Sequence, residues 1–583
     1  MGSVERVYGP VVLASGMGDA KIYDLVHVGS MRLLGEVIKL KGDIATIQVY
    51  EDTSGIKPDD KIETTGHPLS VELGPGLIGS IYDGLQRPLP EISKASGNFI
   101  KRGVGARALD GTKKWDYTAK VKPGDKVSYG TILGVVQETP TIEHRIMSQT
   151  EGTVLDVKSG TYSIDDVVCS IDSTSGAVEV TMTQRSSVRA PRPVADRLNP
   201  DTPLHTGQRV IDTLFPIAKG GSVAMPGPFG SGKTVTQQNL AKFADTDLVI
   251  YVGCGERGNE VAEVLSEFPK LTDPMSGRPL MERTILIANT SNMPVAAREA
   301  SINTGAAIAE YYRDMGYDVA LMVDSTSRWA EAMREISSRM EEMPAEEGYP
   351  AYLSRRLAEF YSRASRVKCS SPEGRCGSIT MVGAVSPPGG DFSEPVSQAT
   401  LQVTKVFLAL DAELAHRRHF PAINWLKSYS LYLDSLNRWF EDNVASDQME
   451  LRMNAVALLQ KEAELLDIVK LVGSDTLPES EQALLKVAQM LREDLLQQNS
   501  FDPHDRYSTY EKQHLMLKAI LTFHDRAQRA LSRGIQLESI SGMKSVESIA
   551  GMKRMPNEKT DDIKKMIEDM KAEFAKIAGI SDD

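Results

Sequence analysis

An eight-residue run, Gly227-Pro228-Phe229-Gly230-Ser231-Gly232-Lys233-Thr234, stands between a short apolar stretch, SVAMP, and a helical one, TVTQQNLAKFA. The run fits the pattern G-x-x-x-x-G-K-[ST]. Its glycines let the backbone fold close around an anion, so that several N–H groups point inward. The helix that follows adds the positive end of its dipole. Lys233 would then reach the β and γ phosphates of a nucleotide, and the Thr234 hydroxyl would ligate Mg2+. A Gly-rich turn that merely reverses the chain has no need of a strand before it and a helix after it; a phosphate cradle requires both.

The stretches after this loop alternate in the same way. DLVIYVGC reads as a buried strand, NEVAEVLSEF as a helix, RTILIANTS as a strand and PVAAREASINTGAAIAEYYRDMG as a long helix. DVALMVDSTS reads as a further apolar strand. Strands alternating with helices predict a parallel α/β sheet. Asp324 ends the last of those strands, where a Walker-B carboxylate holds Mg2+ or its water. A turn or N-cap aspartate before the STSRWAEAMREI helix is the plainer alternative. Glu256 and Arg257 follow DLVIYV within GCGERGNE. A carboxylate at a strand tip beside a γ-phosphate can orient and polarise water. By position alone an exposed ion pair would be the commoner outcome.

The flanking segments differ in character. Residues 1 to about 70 read as short β-branched strands (VVLA, KIYDLVHV, GEVIKL, ATIQVYE) suited to a small barrel. A loop-rich stretch follows. The segment from about 110 to 185 is again β-rich, and its VKPGDKVSYG turns resemble those of a biotinyl or lipoyl carrier, although no lysine sits on an obvious modified hairpin. Beyond about 430 the apolar spacing turns helical almost throughout. The last segment carries Ile563, Met566, Ile567, Met570, Phe574 and Ile577 on one face, which predicts packing on its own helical domain or, alternatively, a stripe facing a partner. A length of 583 residues suggests roughly three to four domains. The formal charge of −13 argues against a chain that coats nucleic acid. Four cysteines (Cys169, Cys254, Cys369, Cys376) are too few for a disulfide scaffold and show no zinc spacing. No secretory signal or transmembrane stretch is evident, so any service to a membrane is expected to run through partners.

GPFGSGKTVTQ, GCGERGNE, LMVDSTSRWAEAMREIS and SPPGGDFSEP together strongly resemble the catalytic A subunit of archaeal-type and vacuolar-type rotary ATPases, over essentially the whole chain. Pro421-Ala422-Ile423-Asn424, with Ser428 and Ser430, is similar to the signature of rotary α/β-type subunits. The resemblance implies a multidomain α/β protein. Its parts are an N-terminal β-barrel (1–70), a connecting segment (71–109), a β-rich bulge insertion (110–189), a RecA-like P-loop nucleotide-binding domain (190–430) and a C-terminal α-helical domain (431–583). It makes Gly227 through Thr234, with Val235, the ATP-binding loop, Lys233 and Arg257 catalytic phosphate contacts, and Glu256 the water-activating base. Thr234 and Asp324 become the Mg2+ ligands, and Phe420 and Phe501 the adenine pocket, which grips by stacking and apolar burial. Serine at 231, where vacuolar enzymes of eukaryotes typically carry cysteine, implies an archaeal type without a thiol switch on this loop.

The resemblance further implies ATP and ADP as substrates. It implies an alternating A3B3 ring with a B-type subunit that lends an arginine in trans, together with central-stalk and peripheral-stalk subunits. It implies coupling to H+ or Na+ movement through a membrane rotor, at the cytoplasmic face of the cell membrane, and no nucleic-acid partner. Two other readings keep the nucleotide: a RecA-like hexameric nucleic-acid translocase, and a ring subunit that binds nucleotide without catalysis. The first predicts a basic, aromatic-dotted barrel or pore loop, whereas residues 1–70 hold few aromatics and no RNP-like run; the second predicts a decayed loop or no glutamate at 256, and neither holds. A protein-export ATPase is disfavoured by the 110–185 insertion.

Overall fold

The computed structural model describes residues 2–97, 101–274, 276–473 and 476–578. Its contacts group into two units. The first comprises Met1–Asn199, Lys219–Ala224 and Thr246–Thr404; the second comprises Pro200–Ala218, Met225–Asp245 and Lys405–Asp583.

The first unit opens with a closed barrel of six strands: β1 (Gly2–Tyr8), β2 (Val11–Ser15), β3 (Asp24–Val28), β4 (Leu33–Lys41), β5 (Ile44–Val49) and β6 (Lys61–Pro68). They are paired in the order β1-β2-β5-β4-β3-β6. Alternate residues turn inward, so Val12, Val26, Val28, Val37 and Ile47 fill the interior. The last strand carries little apolar signal. β6 buries only Ile62 and pairs through its backbone with β1 and β3, which closes the barrel and removes its edges. The polar tract at 61–68 is not among the strands named from the sequence, and it forms one in the fold.

Residues 114–180 build two four-stranded antiparallel sheets. Val127, Leu133, Val154, Cys169 and Ile171 are buried together there. This segment is fastened to the rest of the unit by a buried polar chain. His144 Nδ1 lies 2.6 Å from Glu138 Oε2 and its Nε2 2.8 Å from the Tyr311 hydroxyl. Glu138 also accepts the Gly76 N–H at 2.8 Å.

The central sheet contains β7 (Ser222–Pro226), β8 (Leu248–Glu256), β9 (Thr284–Thr290), β10 (Asp318–Asp324) and β11 (Cys376–Val385). They are paired in the order β7-β11-β10-β8-β9, and the short strand Ile81–Tyr82 lies beyond β9. β11, β10, β8 and β9 run parallel to one another. They are buried almost throughout, which is why they appear in sequence as unbroken apolar runs rather than alternating ones. The helix Val295–Asp314 packs on this sheet and is buried along most of its length, Ala296, Ala300, Ala306 and Ala307 among the buried residues. A Cβ at Gly305 would lie 2.6 Å from Val252 Cγ2, so glycine sets how closely the helix approaches.

Two buried ionic clusters join that helix to its neighbours. Arg189 bonds both Glu36 of β4 and Glu299 of the helix at 2.7 Å. Arg363 makes a bidentate pair with Glu310, at 2.8 Å for each bond, and both side chains are buried. Breaking such a pair leaves a desolvated cation without its counter-charge, which costs about 3–5 kcal/mol. Glu310→Ala is therefore expected to lower the melting temperature of the protein clearly; a melting curve unchanged from that of the unsubstituted chain would contradict the account.

The second unit is mainly helical. Its long helices are Gln448–Val472, Glu479–Met490, Tyr510–Ser532 and Thr560–Ala578. Five of the six apolar residues predicted to share a face of the last helix (Ile563, Met566, Ile567, Met570 and Phe574) are buried, with Phe574 edge-on to Phe523 at 5.4 Å. Ile577 is the exception, at 38% exposed. Their partners lie within the unit itself, chiefly on the helix Tyr510–Ser532.

Candidate functional site

Within the second unit, the loop 227–234 leads from β7 into α1 (Lys233–Phe243). Its curl depends on glycines in the left-handed region: Gly230 has φ +81° and Gly232, the residue before the helix, φ +83°. A side chain at either position would be strained. Ser231 is buried and its Oγ donates to the Pro228 carbonyl at 2.7 Å, bracing the turn from inside. Lys233 Nζ folds back over the loop and donates to the carbonyls of Gly227 (2.7 Å) and Pro228 (3.1 Å). The ammonium is thus held at the centre of the curl, where an anion would meet it. Thr234 lies in the first turn of α1, and Phe229 and Val235 are exposed, at 77% and 55%.

Beside α1 opens a cavity of about 850 Å3. Gly232, Val235, Asn239, Phe420 and Phe501 are among its lining residues, with the segment 497–502 forming much of its wall. The Phe420 ring rests on the loop, 3.6 Å from where a Cβ of Gly232 would stand. Phe501 also lines the cavity but is 95% exposed. The backbone joins these walls: the Gln498 N–H donates to the Phe420 carbonyl at 2.8 Å, and Asn239 Nδ2 to Ser500 Oγ at 2.9 Å. The signature residues after Phe420 serve as latches. Asn424 Nδ2 donates to Asp411 Oδ2 at 2.8 Å, Ser428 Oγ accepts the Ala409 N–H at 3.0 Å, and Ser430 Oγ donates to the Pro216 carbonyl at 2.6 Å.

Within the first unit, the structure brings Glu256 and Asp324 together. Gly253 of β8 is in register with Asp324 of the parallel strand β10, and Glu256 ends β8 three residues further on. Asp324 is buried and accepts the Tyr251 hydroxyl at 3.3 Å. It does not cap the following helix: Ser325 is the N-cap residue, and it caps with no side-chain bond. Burial, then the Asp324 charge and a hydrogen bond with Glu260, push the Glu256 carboxyl up to about 8; Arg328 opposes the shift. Arg328 and Glu260 carry no signal of their own in the sequence. Each lies one helical turn or less into a helix that starts at a strand tip, a spacing that becomes informative only once β8 and β10 are known to be neighbours. Arg257 stands exposed at the head of the helix Gly258–Glu267. Gly255 permits the sharp exit from β8: it has φ +70°, and a Cβ there would lie 2.8 Å from Arg298 Cδ. Cys254 just before it is fully buried, which pushes its thiol up to about 12 and leaves it without thiolate character.

A glycine loop with a central lysine, followed by a parallel sheet with carboxylates at its strand tips, defines a P-loop nucleotide-binding protein. Family models agree along the chain. The ATP synthase alpha/beta family nucleotide-binding domain matches residues 207–430, and its beta-barrel domain matches 4–66. The ATP synthase alpha/beta subunit barrel-sandwich domain matches 106–189, and the C-terminal domain of V and A type ATP synthase matches 437–541.

The particular family follows from whole-chain similarity. The chain is 58% identical to the A subunit of the A-type ATP synthase of Methanopyrus kandleri over 97% of both chains. It is 59% identical to the corresponding chain of Methanosarcina barkeri over 99% of both. It is 57% identical to the V-type ATP synthase alpha chain of Clostridium novyi, covering 99% of this chain and 98% of that one. The chain belongs to the A-subunit family of A-type and V-type ATP synthases, the catalytic chains of multi-subunit rotary ATPases. A solved structure of the assembled ATPase EscN from the type III secretion system of enteropathogenic E. coli has the same fold, with a TM-score of 0.65 at 20% identity over 89% of this chain and 100% of that one.

Proposed function

We propose that the chain binds ATP on the loop 227–234 and hydrolyses or synthesises it with Glu256 as the group that aligns water. The reading is carried by one observation: Lys233 is held within a glycine curl, in a chain whose paired strands β8 and β10 end in two carboxylates, Glu256 and Asp324. Lys233 and the loop amides would neutralise charge on the β and γ phosphates. Arg257 would add a second positive contact. Ionised Glu256 would accept a hydrogen bond from water and hold it in line with the leaving ADP. Phe420, Phe501 and Val235 would bound the adenine cavity, where a flat base stacks and loses apolar surface to water.

The hydroxyl of Thr234 and the carboxylate of Asp324 are hard oxygen donors of the kind Mg2+ takes, and Mg2+ needs only one or two protein ligands when substrate phosphates supply the rest. Asp324 offers such a donor at the end of β10, where its side chain is buried. When bound, the ion neutralises phosphate charge and polarises the oxygens of the transferred group.

Among the described residues no helix is long and apolar enough to cross a membrane. From the chain's likeness to subunits of A-type and V-type ATP synthases, we assign membrane association to partners: an A3B3 ring with a B-type subunit, stalk subunits, and a rotor that moves H+ or Na+, the whole at the cytoplasmic face of the cell membrane. An arginine from the neighbouring B-type subunit would complete the site in trans. Loss of such a finger lowers the rate by a factor of ~10³ or more. The isolated chain is accordingly expected to hydrolyse ATP far more slowly than the ring reconstituted with its B-type partner. An isolated chain as fast as the ring would overturn this reading.

A further inference from the structure

The cavity wall at 497–505 is held from behind by two buried cations that do not line the cavity. Arg209 is wholly buried. It pairs with Asp505 at 2.6 Å and donates to the carbonyls of Leu495 (2.5 Å) and Gln497 (2.6 Å). Asp505 in turn accepts the Asn499 N–H at 2.7 Å. Lys512, on the helix Tyr510–Ser532, is also wholly buried. Its Nζ donates to three backbone carbonyls: His504 at 3.2 Å, Lys553 at 3.2 Å and Met555 at 2.6 Å. The first belongs to the segment that carries Phe501; the other two flank Arg554, which lines the cavity together with Lys553.

An ammonium with three donors and no acceptor matches three acceptor-only carbonyls. A neutral apolar side chain in its place would take the shared donor away from all three carbonyls. Burial of the cation is itself unfavourable and lowers its pKa to about 8. Helicity alone does not call for such a group; two cavity walls that must keep a fixed separation do.

We infer that Lys512 is a positioning residue for nucleotide affinity, tying the 501–505 wall of the cavity to the 553–555 wall so that the base meets a preformed slot. This rests on the reading of the cavity as the base site. It separates the two halves of the ligand: the phosphate loop does not depend on Lys512, whereas the slot for the base does.

The test uses the assembled ATPase complex with Lys512→Met in this chain. KM for ATP is expected to rise roughly tenfold, since the slot is no longer preorganised, with kcat at saturation within about twofold of the unsubstituted complex. Competitive inhibition by inorganic tripolyphosphate, which offers phosphates without a base, is expected to keep its strength. Equal weakening of ATP and tripolyphosphate, or a fall in kcat with KM unchanged, would overturn the assignment. Phe420→Ala serves as the reference. If it leaves KM for ATP unchanged, the base-site reading itself fails; if it raises KM and Lys512→Met does not, only the inference about Lys512 fails. Should Lys512→Met not assemble, Lys512→Gln, which keeps two donors, is expected to give a smaller shift in the same direction. Failure of both to assemble would make Lys512 a folding residue and end the proposal.

Discussion

Glu256→Gln is expected to reduce kcat of the assembled ATPase by about 10²–10⁴-fold, the usual contribution of a positioned acid–base group. KM for ATP should change little, because the side chain acts on water and not on the nucleotide. Glutamine keeps the size of the side chain and its place at the end of β8, but it removes the charge that polarises water. The environment of Glu256 adds a second signature. Burial and the nearby Asp324 charge raise its carboxyl to about 8, so the ionised, water-orienting form is lost as the pH falls through that value. The kcat/KM of the unsubstituted complex, which reports groups of the free enzyme, should therefore climb with pH toward about 8. The climb should be absent in Glu256→Gln. A variant that kept the same pH limb would show that another group is responsible.

Lys233→Ala is the second large effect. The substitution removes the only side-chain cation of the loop 227–234 and the two hydrogen bonds that hold it across the curl, to Gly227 and Pro228. Charge on the β and γ phosphates would then meet amides and the metal alone. Removal of one preorganised donor to developing charge lowers kcat by about 10²–10³-fold. Here the ground-state phosphates are bound by the same group, so nucleotide affinity should fall as well. Equilibrium binding of ATP and steady-state hydrolysis, measured on the same assembled complex, check both parts. Assembly should survive, because Lys233 bonds within its own loop and the helix after it is anchored by Leu240, Ala241 and Phe243, all buried. Unchanged turnover in Lys233→Ala would remove the loop from the mechanism.

The features legible in sequence were those with strong local constraints. Strands β8 and β10 are buried on both faces, so their apolar runs stand out; the loop between β7 and α1 is marked by glycines at positions where only glycine sits without strain. The carboxylates at 256 and 324 were visible as strand-ending residues. Their mutual influence was not, because it arises from the parallel register that sets Gly253 beside Asp324. β6 was illegible for the opposite reason: only Ile62 is buried, and the strand exists because its backbone completes a barrel. Phe501 illustrates a further limit. Sequence similarity marks it as a base contact, and the structure sets it on the cavity wall while leaving it 95% exposed. Arg209 and Lys512 carry no motif at all. A lone charged residue in sequence is read as surface, and only the acceptors around each, two carbonyls and the Asp505 carboxylate for Arg209 and three carbonyls for Lys512, explain why it lies inside.

The most direct measurement is an atomic structure of the assembled ring with Mg2+ and a non-hydrolysable ATP analogue. The account predicts the triphosphate wrapped by residues 227–234, with Lys233 Nζ turned from the Gly227 and Pro228 carbonyls onto the phosphates. It also predicts the Glu256 carboxylate holding a water in line with the terminal phosphorus. A triphosphate seated elsewhere, or Glu256 directed away from that water while Lys233 stays on its own carbonyls, would contradict it.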